Sequence, residues 1–314
     1  MKPTSQPRNR LHAGDDLVAD FSDGLRLLWH GRDWLGPIEL GLADTSRTPS
    51  LDDCDGRDNG SDDLGGFDEC RWRHGSLPID ASLRAYHELP LFVFGLTATG
   101  QLPAGFASGE YSKPCGVWPG FAPRQRSSAQ SPVDLRTFGF QHSEFALPAF
   151  GDEMAQGFFF APHRPAAVTP LLFLDAEQRC LLLAPLDHFH EQTIAVPREE
   201  IETVRCGWHG DLESVPAGFA TSFAVWAAPD PRTALNQWGE LLLRRNGTRR
   251  LTRYADELSS RLSYWTDNGA VYYYRTAAGC DYTETLSRAV KELHRQEVPV
   301  ASVQLDSWFY PHEQ

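Results

Sequence analysis

The chain has 314 residues, 41% of them hydrophobic and 23% charged, a composition typical of a soluble globular protein with room for two domains. Its formal net charge of -13 argues against sequence-independent binding to nucleic acid and against binding to anionic lipid, because both kinds of binding depend on clustered Lys and Arg. No stretch reaches the roughly 18 to 20 apolar residues that span a bilayer, and the N-terminus has no apolar signal region. We therefore expect a cytoplasmic protein with no nucleic-acid and no membrane partner.

The cysteines and the standard catalytic signatures exclude further classes. The six cysteines are scattered and form no C-x-x-C pair, so their spacing indicates neither a zinc site nor a disulfide framework. We expect all of them to be reduced. The sequence also contains no G-x-S-x-G, H-E-x-x-H, P-loop or G-x-G-x-x-G signature, which removes the serine hydrolase, zinc protease and nucleotide-binding classes that rest on those signatures. No cofactor is expected.

The N-terminal part of the chain is predicted to be a disordered tail over residues 1–14, followed by a β-sandwich domain over residues 15–229. Residues 51–69 (LDDCDGRDNGSDDLGGFDE) are dense in Asp and Gly and too polar to bury anything, so we expect a loop. A calcium loop is the alternative, because hard cations bind clustered carboxylates. Arg57 stands where a third ligand is required, and a solvated acidic loop is therefore favoured.

Short runs rich in Phe, Leu, Val and Thr follow from about residue 83 to residue 228, separated by Pro, Gly and Asp. The predicted strands are residues 89–99, 136–147, 169–174, 180–185, 193–196 and 219–227. Residues 175–179 are a predicted hairpin loop between two of them. Many short strands with no helical period between them predict a β-sandwich.

The pattern then changes to helix. Asp230 suits an N-cap and Pro231 the first helical position, and apolar residues recur at three- and four-residue spacing until Asn246 and Gly247 end the run. We predict that residues 230–260, this helix and its connector, link the sandwich to a second domain.

The second predicted domain, residues 261–314, contains a strand, a helix and a strand. Residues 261–269 (RLSYWTDNG) and 298–305 are apolar runs with polar groups near their ends, and residues 281–296 are an amphipathic helix. Asp281 and Glu284 resemble a capping box, and the predicted buried stripe of the helix is Leu286, Val290 and Leu293. This is the expected opening of a parallel (β/α)8 barrel. The fold class is thus a β-sandwich followed by a truncated barrel, mainly antiparallel β with a C-terminal βαβ unit.

Polar and aromatic side chains collect where both strands end, which is the place where (β/α)8 enzymes hold substrate. The candidate substrate-binding residues are Asp306, Trp308, Trp265, Asp267 and Asn268. A carboxylate at the mouth of a buried strand is costly for stability alone, so a ligand role is favoured for Asp306. Sugars offer apolar faces and hydroxyls, which suit a carboxylate beside indole rings. Ordinary packing of the aromatic residues at the strand end stays open as the alternative.

Two histidine groups also stand close to carboxylates. His188 and His190 alternate near Glu191, and His142 and Glu144 alternate likewise, so on strands each set shares a face. Metal binding is one interpretation. Hydrogen-bonded structural groups are favoured, since two histidines without a third ligand make a poor metal site. We therefore expect no metal.

The layout of a sandwich, a linking helix and a barrel whose second strand ends in L-D-x-W resembles the retaining α-glycosidases related to α-galactosidases and raffinose synthases. The α-glucosidase and α-xylosidase group is more distantly similar. In that group a tryptophan-bearing motif closes the first strand and an L-D-D-G-W-like motif closes the second. Residues 264–267 (YWTD) match the first motif and residues 305–308 (LDSW) the second. The resemblance implies that Asp306 binds sugar hydroxyls and that Trp308 forms a pocket wall.

The sequence departs from the family at two points. Ser307 stands where α-galactosidases usually carry a second acid, so the resemblance implies no particular sugar. The family's nucleophile and acid/base lie on the fourth and sixth barrel strands, and no position here matches either. Retaining cleavage requires two carboxyl groups roughly 5 to 5.5 Å apart, so no catalytic residue is named.

The resulting functional prediction is the N-terminal portion of a glycoside hydrolase-like protein that acts on α-linked sugars and is inactive in this truncated form. The alternative is a non-catalytic carbohydrate-binding or remnant protein. The expected partners are a carbohydrate substrate and, through the C-terminal segment, a second copy of the chain.

Overall fold

A computed structural model describes residues 9–42, 45–74, 77–102, 114–121, 135–141, 148–151, 168–195, 204–252, 254–266 and 276–305. The chain divides into two compact units, Met1–Gly247 and Thr248–Gln314. Within the described residues, the first unit is antiparallel β-sheet with one long helix, and the second contains a strand–helix–strand unit. None of the described helices is both long and apolar enough to cross a bilayer.

The elements of the first unit are short strands and a C-terminal helix. The strands are β1 (Arg10–Ala13), β2 (Leu17–Asp20), β3 (Arg26–Trp29), β4 (Arg32–Leu35), β5 (Ile38–Leu42), β6 (Thr45–Arg47), β7 (Gly56–Asp62), β8 (Gly65–Arg73), β9 (Ile79–Tyr86), β10 (Leu91–Ala98), β11 (Gly116–Phe121), β12 (Arg136–Gln141), β13 (Pro148–Gly151), β14 (Val168–Leu174), β15 (Cys180–Pro185), β16 (Gln192–Ala195), β17 (Val204–Trp208) and β18 (Ala220–Ala228). The helix is α1 (Pro231–Arg245).

The described strands of this unit form three sheets, of four, nine and five strands. The first is a meander of β1 to β4. The second, called the large sheet below, has the order β13-β12-β14-β15-β18-β10-β9-β8-β7, and the third, the small sheet, has the order β16-β17-β11-β5-β6. Neighbouring strands pair antiparallel throughout, so the mainly antiparallel architecture predicted from the sequence is confirmed.

The main core lies between the large and small sheets. Alternate residues of β9 point into it, so Leu83 is buried while Arg84 is only half-buried. Trp118 of β11 bridges the two sheets, because its ring lies 5.1 Å from that of Phe94 on β10 and 5.7 Å from that of Trp72 on β8. Its indole N–H donates to the Ser82 carbonyl at 2.6 Å, so the buried polar atom is satisfied. This face-to-face packing makes the unit a β-sandwich.

The outer face of the large sheet is covered in part by α1. Asp230 accepts a hydrogen bond from Thr233 N at 2.9 Å and Pro231 begins the helix, as the sequence predicted. Ala234 and Leu241 are buried in a second apolar cluster that includes Trp226 of β18. The Trp226 indole N–H donates to Gln237 Oε1 at 2.7 Å. The helix is therefore an integral part of the first unit.

The strands predicted with strong apolar runs are confirmed. β15 has the predicted bounds, and β10, β14, β16 and β18 lie within two residues of theirs. β12 begins where predicted, and residues 142–147 fall outside the described residues. The hairpin loop at residues 175–179 is confirmed as well, because Asp175 accepts bonds from Glu177 N and Arg179 N at 3.1 and 2.9 Å.

The loop predicted over residues 51–69 is wrong for most of that range. β7 and β8 form a hairpin there, and β8 pairs in turn with β9. The prediction rested on amino-acid composition, which reflects the polarity of the side chains and carries no information on backbone pairing. β7 is an edge strand whose polar side chains face solvent, whereas Leu64 and Phe67 are buried. The acidic residues have arginine partners, such as Glu69 with Arg71 and Arg84.

The disordered tail predicted over residues 1–14 is wrong over β1, since Leu11 and Ala13 are buried and the strand pairs with β2. Strands β2 to β9, β11, β13 and β17 were not predicted individually. The shared strand face predicted for His188 and His190 is also wrong. These residues lie in a turn, and His188 has a φ of 44°.

The second unit contains α2 (Glu257–Ser260), β19 (Leu262–Trp265), α3 (Tyr282–Arg295) and β20 (Val300–Gln304). The predicted strand–helix–strand order is confirmed, and β19 and β20 pair parallel. Asp281 caps α3 by accepting from Glu284 N at 2.7 Å. The predicted buried stripe is wrong in degree, because Leu286, Val290 and Leu293 are only half-buried and the buried residue of the helix is Thr285.

Candidate functional site

The predicted site lies where the two parallel strands of the second unit end. β19 and β20 are in register with Trp265 opposite Gln304. Thr266 continues the pairing, since its backbone N–H and its hydroxyl both donate to the Gln304 carbonyl, at 3.2 and 3.3 Å. Thr266 is fully buried. The two strands therefore end side by side at one edge, which is the geometry that a barrel enzyme needs to bring residues from different strands to one ligand.

The helix between these strands is tied to the segments that flank it. Thr285 accepts a bond from Ala277 N at 3.0 Å and donates to the Asp281 carbonyl at 2.7 Å, which ties the entry of α3 to its first turn. At its exit, Val298 N donates to the Leu293 carbonyl at 3.0 Å. The unit is thus a closed βαβ crossover with satisfied helix ends.

Of the predicted substrate-binding residues, the structure describes Trp265, whose side chain is partly exposed at the end of β19. Asp267 and Asn268 follow Thr266 in the sequence, and Asp306 and Trp308 follow Leu305; all four lie outside the described residues. The structure brings together the strand ends to which these residues are attached. Their roles remain predictions.

The surface of the second unit is unusually apolar for two strands and their connections. Leu262 is 54% exposed and Trp265 38%, and Val303 and Leu305 are exposed to a similar degree as Trp265. Parallel strands are normally buried on both faces, with neighbours on each side. The described strands of the second unit depart from this norm, because they expose apolar side chains to solvent.

Among the described residues, the predicted histidine group around His188 shows no metal-binding arrangement. His188 Nδ1 lies 3.7 Å from Glu191 Oε2, and both side chains are partly exposed. His142 and Glu144 fall outside the described residues. Across the part of the chain that the structure describes, no three His, Cys, Asp or Glu side chains cluster closely enough to hold an ion.

A pocket of about 150 Å³ lies on the outer face of the large sheet, which the sequence did not predict. Its floor is a row across three strands, in which Gly95 of β10 stands between Ser82 of β9 and Ser222 of β18. A side chain at Gly95 would collide with Ser82, since an added Cβ would lie 2.6 Å from Ser82 Oγ. The pocket exists because Gly95 has no side chain. We call it the outer-sheet pocket.

One wall of the outer-sheet pocket is organised by Asp187, which follows β15. Its Oδ2 accepts from Ser222 Oγ at 2.5 Å and from Arg245 Nη2 at 2.6 Å, and its Oδ1 accepts from Ser222 N at 2.8 Å. Four-fifths of the Asp187 side chain is shielded from solvent. The carboxylate thus holds Arg245, from the last turn of α1, over the pocket.

The opposite wall is Arg84 of β9. Its Nε donates to Glu69 Oε1 at 2.7 Å, and its guanidinium carbon lies 4.5 Å from the centre of the Phe67 ring. Burial, the largest single influence, raises the pKa of Glu69, but the hydrogen bonds from Arg84 and Arg71 outweigh it and hold that pKa below its ordinary value. Both pocket arginines therefore have carboxylate partners that fix their positions.

A signal for the outer-sheet pocket was present in the sequence. Gly95 interrupts an otherwise bulky strand, LFVFGLTA, and an isolated glycine within a strand often marks a close approach or an open space. Its partners could not be read from the chain, because Ser82, Asp187 and Arg245 are far apart in sequence and meet only through the pairing of β9, β10 and β18 and the packing of α1.

Comparison with known proteins gives a likeness of fold. No family model matches the chain, and no curated protein matches its sequence. Among solved structures, an alpha-N-acetylgalactosaminidase, NagBb from Bifidobacterium bifidum in complex with GalNAc, superposes with a TM-score of 0.52 at 10% identity, over 95% of this chain and 51% of that one. A Glycoside Hydrolase Family 97 enzyme from Pseudoalteromonas sp. strain K8 gives a TM-score of 0.50 at 9% identity, over 96% of this chain and 48% of that one.

These likenesses support an α-glycosidase-like fold for the chain. The chain spans about half the length of the solved structures it matches. At such low sequence identity they do not single out the α-galactosidase and raffinose synthase group.

Proposed function

We propose that this chain is the N-terminal portion of a glycoside hydrolase-like protein that acts on α-linked sugars, with its second unit forming the opening of a (β/α)8 barrel. The observation that carries the proposal is the parallel pair of β19 and β20, which end side by side. The sequence places a motif with an aspartate and a tryptophan at the end of each strand, YWTD for β19 and LDSW for β20. The likeness of fold to α-glycosidases supports the same function.

Two further features support the barrel. The exposed apolar residues of β19 and β20 are explained if further strands and helices cover them. The helical crossover between the strands is the repeating unit of such barrels. Within the proposal, the finer relationship is to the group of α-galactosidases and raffinose synthases, because the LDSW and YWTD motifs match that group's strand ends.

The proposed chemistry at this edge is recognition of a sugar ring. Asp306 accepts hydrogen bonds from sugar hydroxyls, and Trp308 and Trp265 cover apolar faces of the ring. Asp267 and Asn268 add polar contacts from the first strand. Glycosidic cleavage by retention needs a nucleophile and an acid/base carboxyl, and the sequence has no position that matches either one. The chain as given is therefore proposed to bind sugar without turning it over.

The second candidate function, a non-catalytic carbohydrate-binding protein, is favoured by that same absence of matching carboxyl positions in the sequence. Both candidates predict sugar binding at the strand ends. They differ when the later barrel strands are supplied, since only the glycosidase then gains activity.

The test measures turnover of aryl α-galactosides, α-glucosides and α-xylosides by the purified chain and by any longer protein that carries this sequence. We expect no turnover by the chain and turnover by the longer protein. In the longer protein, Asp306→Asn lowers kcat/KM by a factor on the order of 10² to 10³, because a hydroxyl bond to a charged group that strengthens in the transition state is worth several kcal/mol.

The matched control is Glu284→Gln, an exposed carboxylate on α3 paired with Arg288, which leaves kcat/KM unchanged. A change of less than about threefold for Asp306→Asn contradicts the binding role assigned to Asp306. Turnover by the chain alone, abolished by a point mutation within it, contradicts the assignment of the catalytic carboxyls to later strands.

A further inference from the structure

We propose that the outer-sheet pocket binds a small, neutral, polyhydroxylated ligand, of the size of one sugar ring or cyclic polyol. This site belongs to the first unit and is built from β9, β10, β18 and the last turn of α1. It uses none of the residues at the ends of β19 and β20. The proposal therefore adds a second binding site and does not depend on the proposed glycosidase function.

The volume of the pocket limits its ligand to a single ring. About 150 Å³ is room for about five water molecules. Pockets for drug-sized ligands begin at about 300 Å³, so an oligosaccharide or a nucleotide is too large to be enclosed. A monosaccharide with about 12 non-hydrogen atoms fits partly enclosed, with its other edge in solvent.

The polar groups that remain available suit hydroxyls. In the described part of the chain, Ser82 Oγ and Thr97 Oγ1 make no hydrogen bond, and Arg245 donates only through Nη2, which leaves its other N–H groups to a ligand. The serine and threonine hydroxyls both donate and accept, as sugar hydroxyls do. Val93 supplies an apolar patch in the row beside Gly95, against which the C–H face of a ring can lie.

The charge balance favours a neutral ligand over an anion. Arg245 is paired with Asp187 and Arg84 with Glu69, so each guanidinium already has its carboxylate. Asp80, which stands opposite Thr97 in the register of β9 and β10, has Arg73 as its partner at 3.6 Å. A phosphate or carboxylate in the pocket would therefore meet no uncompensated cation, because both lining arginines are already paired with carboxylates. Fixed donors around an electrically balanced cavity are the arrangement that recognises a polyol.

The preorganisation of Arg245 strengthens the inference. The Asp187 carboxylate, itself held by Ser222, holds the guanidinium in place, so the arginine loses little conformational freedom when a ligand arrives. An ion pair with a purely structural role would not require a residue without a side chain, such as Gly95, beneath it. The open floor at Gly95 and the fixed arginine above it together define a binding cavity.

The test follows the methyl resonances of Val93 in the purified 314-residue chain, isotopically labelled at valine methyl groups, during titration with D-galactose, with myo-inositol and with potassium phosphate. We expect saturable shifts with at least one of the two polyols and a dissociation constant on the order of 1 to 10 mM, the range for a ligand of about 12 atoms at ordinary ligand efficiency. Phosphate is expected to cause no saturable shift up to 50 mM, about fivefold above the weakest expected polyol constant.

The variants locate the binding. Arg245→Met weakens it at least about fivefold and Thr97→Val about threefold, as expected for the loss of a charged and a neutral hydrogen bond. The double variant Ser82→Ala, Gly95→Val fills the floor and abolishes the shift. Arg244→Met is the matched control, because Arg244 is the exposed neighbour on the same helical turn and does not line the pocket. It leaves the titration unchanged.

Two further variants separate this site from the proposed glycosidase site. Trp265→Ala and Asp306→Asn leave the Val93 titration unchanged if the outer-sheet pocket is independent. The proposal is overturned if neither polyol shifts Val93, if phosphate binds more tightly than both, or if Arg245→Met and Thr97→Val both bind as the unmodified chain does. Thermal unfolding shows whether the double variant folds. If it does not fold, the single variants Arg245→Met and Thr97→Val still decide the test.

Discussion

Replacing Glu69 with glutamine is expected to destabilise the first unit by about 2 kcal/mol at pH 7. The Glu69 side chain is almost completely buried and accepts from Arg71 Nε at 2.6 Å and from Arg84 Nε at 2.7 Å. Glutamine keeps the shape but removes the charge, and it turns an amide N–H₂ towards one of two arginine donors. A hydrogen bond to a charged group is worth about 1.5 to 3 kcal/mol, so two of them set an upper limit of about 6 kcal/mol.

The expected loss is well below that limit because the arginines can recover solvation. Arg71 is 50% exposed and Arg84 34%, so water replaces part of what the carboxylate supplied. Urea unfolding at pH 7 measures the difference, with the slope m unchanged. In thermal unfolding, about 2 kcal/mol in a unit of this size lowers Tm by about 4 to 8 °C.

The effect of Glu69→Gln depends on pH in a defined direction. The pKa of Glu69 is lowered on folding, so its contribution is fully present above the ordinary value of 4.5 and is lost as the pH falls through the folded value. The difference between the unmodified chain and the variant is therefore constant from pH 6 to 8, and it shrinks as the pH falls below about 4.5.

Asp58→Asn is the matched control. Asp58 contacts the same arginine, Arg71, at 3.0 Å but is largely exposed, and its replacement costs less than about 0.5 kcal/mol. A loss below about 0.5 kcal/mol for Glu69→Gln, or an equal loss at pH 3 and pH 7, refutes the reasoning that a buried, ionised carboxylate holds this face of the large sheet together.

Two further predictions concern packing and thiols. Gly207→Ala destabilises the first unit by at least about 3 kcal/mol in urea unfolding, because the added Cβ would lie 1.5 Å from the Gly116 carbonyl oxygen on the paired strand β11. Gly56→Ala is the control, since its Cβ meets nothing nearer than 3.9 Å. The control changes the free energy of unfolding by no more than about 0.5 kcal/mol. An equal effect of the two substitutions contradicts the close approach of β11 and β17. With a thiol reagent at pH 8, Cys54 and Cys280 react first in the native chain, and the buried cysteines react slowly, since burial raises the pKa of Cys115 to about 11 and that of Cys180 to about 12. All six react after denaturation without reductant, and a protected pair contradicts the reduced state predicted from the sequence.

The sequence predicted those parts of the fold that depend on local patterns. The apolar run of β15, the turn chemistry of Asp175 and the caps of α1 and α3 each act within a few residues, and all four are found in the structure. The parallel pairing of β19 and β20 followed from their apolar runs and the helix between them.

The parts that the sequence did not predict depend on contacts between distant segments. The hairpin of β7 and β8 is stable because β9 pairs with β8 and supplies Arg84 to Glu69, which no property of residues 51–69 indicates. The outer-sheet pocket requires Ser82, Gly95 and Ser222 to align across three strands, so the register of the sheet decides it. The apolar stripe of α3 was predicted correctly as a pattern, yet its burial depends on neighbours that its own sequence does not supply.

The most direct test of the central claim, that residues 261–314 begin a parallel barrel, is amide hydrogen exchange of the purified chain with its mass measured in parallel. Among the described residues of the second unit, only Thr266 and Thr285 are buried, whereas β10 and β18 lie in the main core. We expect residues 257–266 and 276–305 to exchange well before β10 and β18, or the chain to self-associate through this segment and so cover its apolar strands. Protection of the second unit equal to that of β10 and β18 in a monomeric sample contradicts the claim, because these strands then belong to a closed fold that needs no further neighbours.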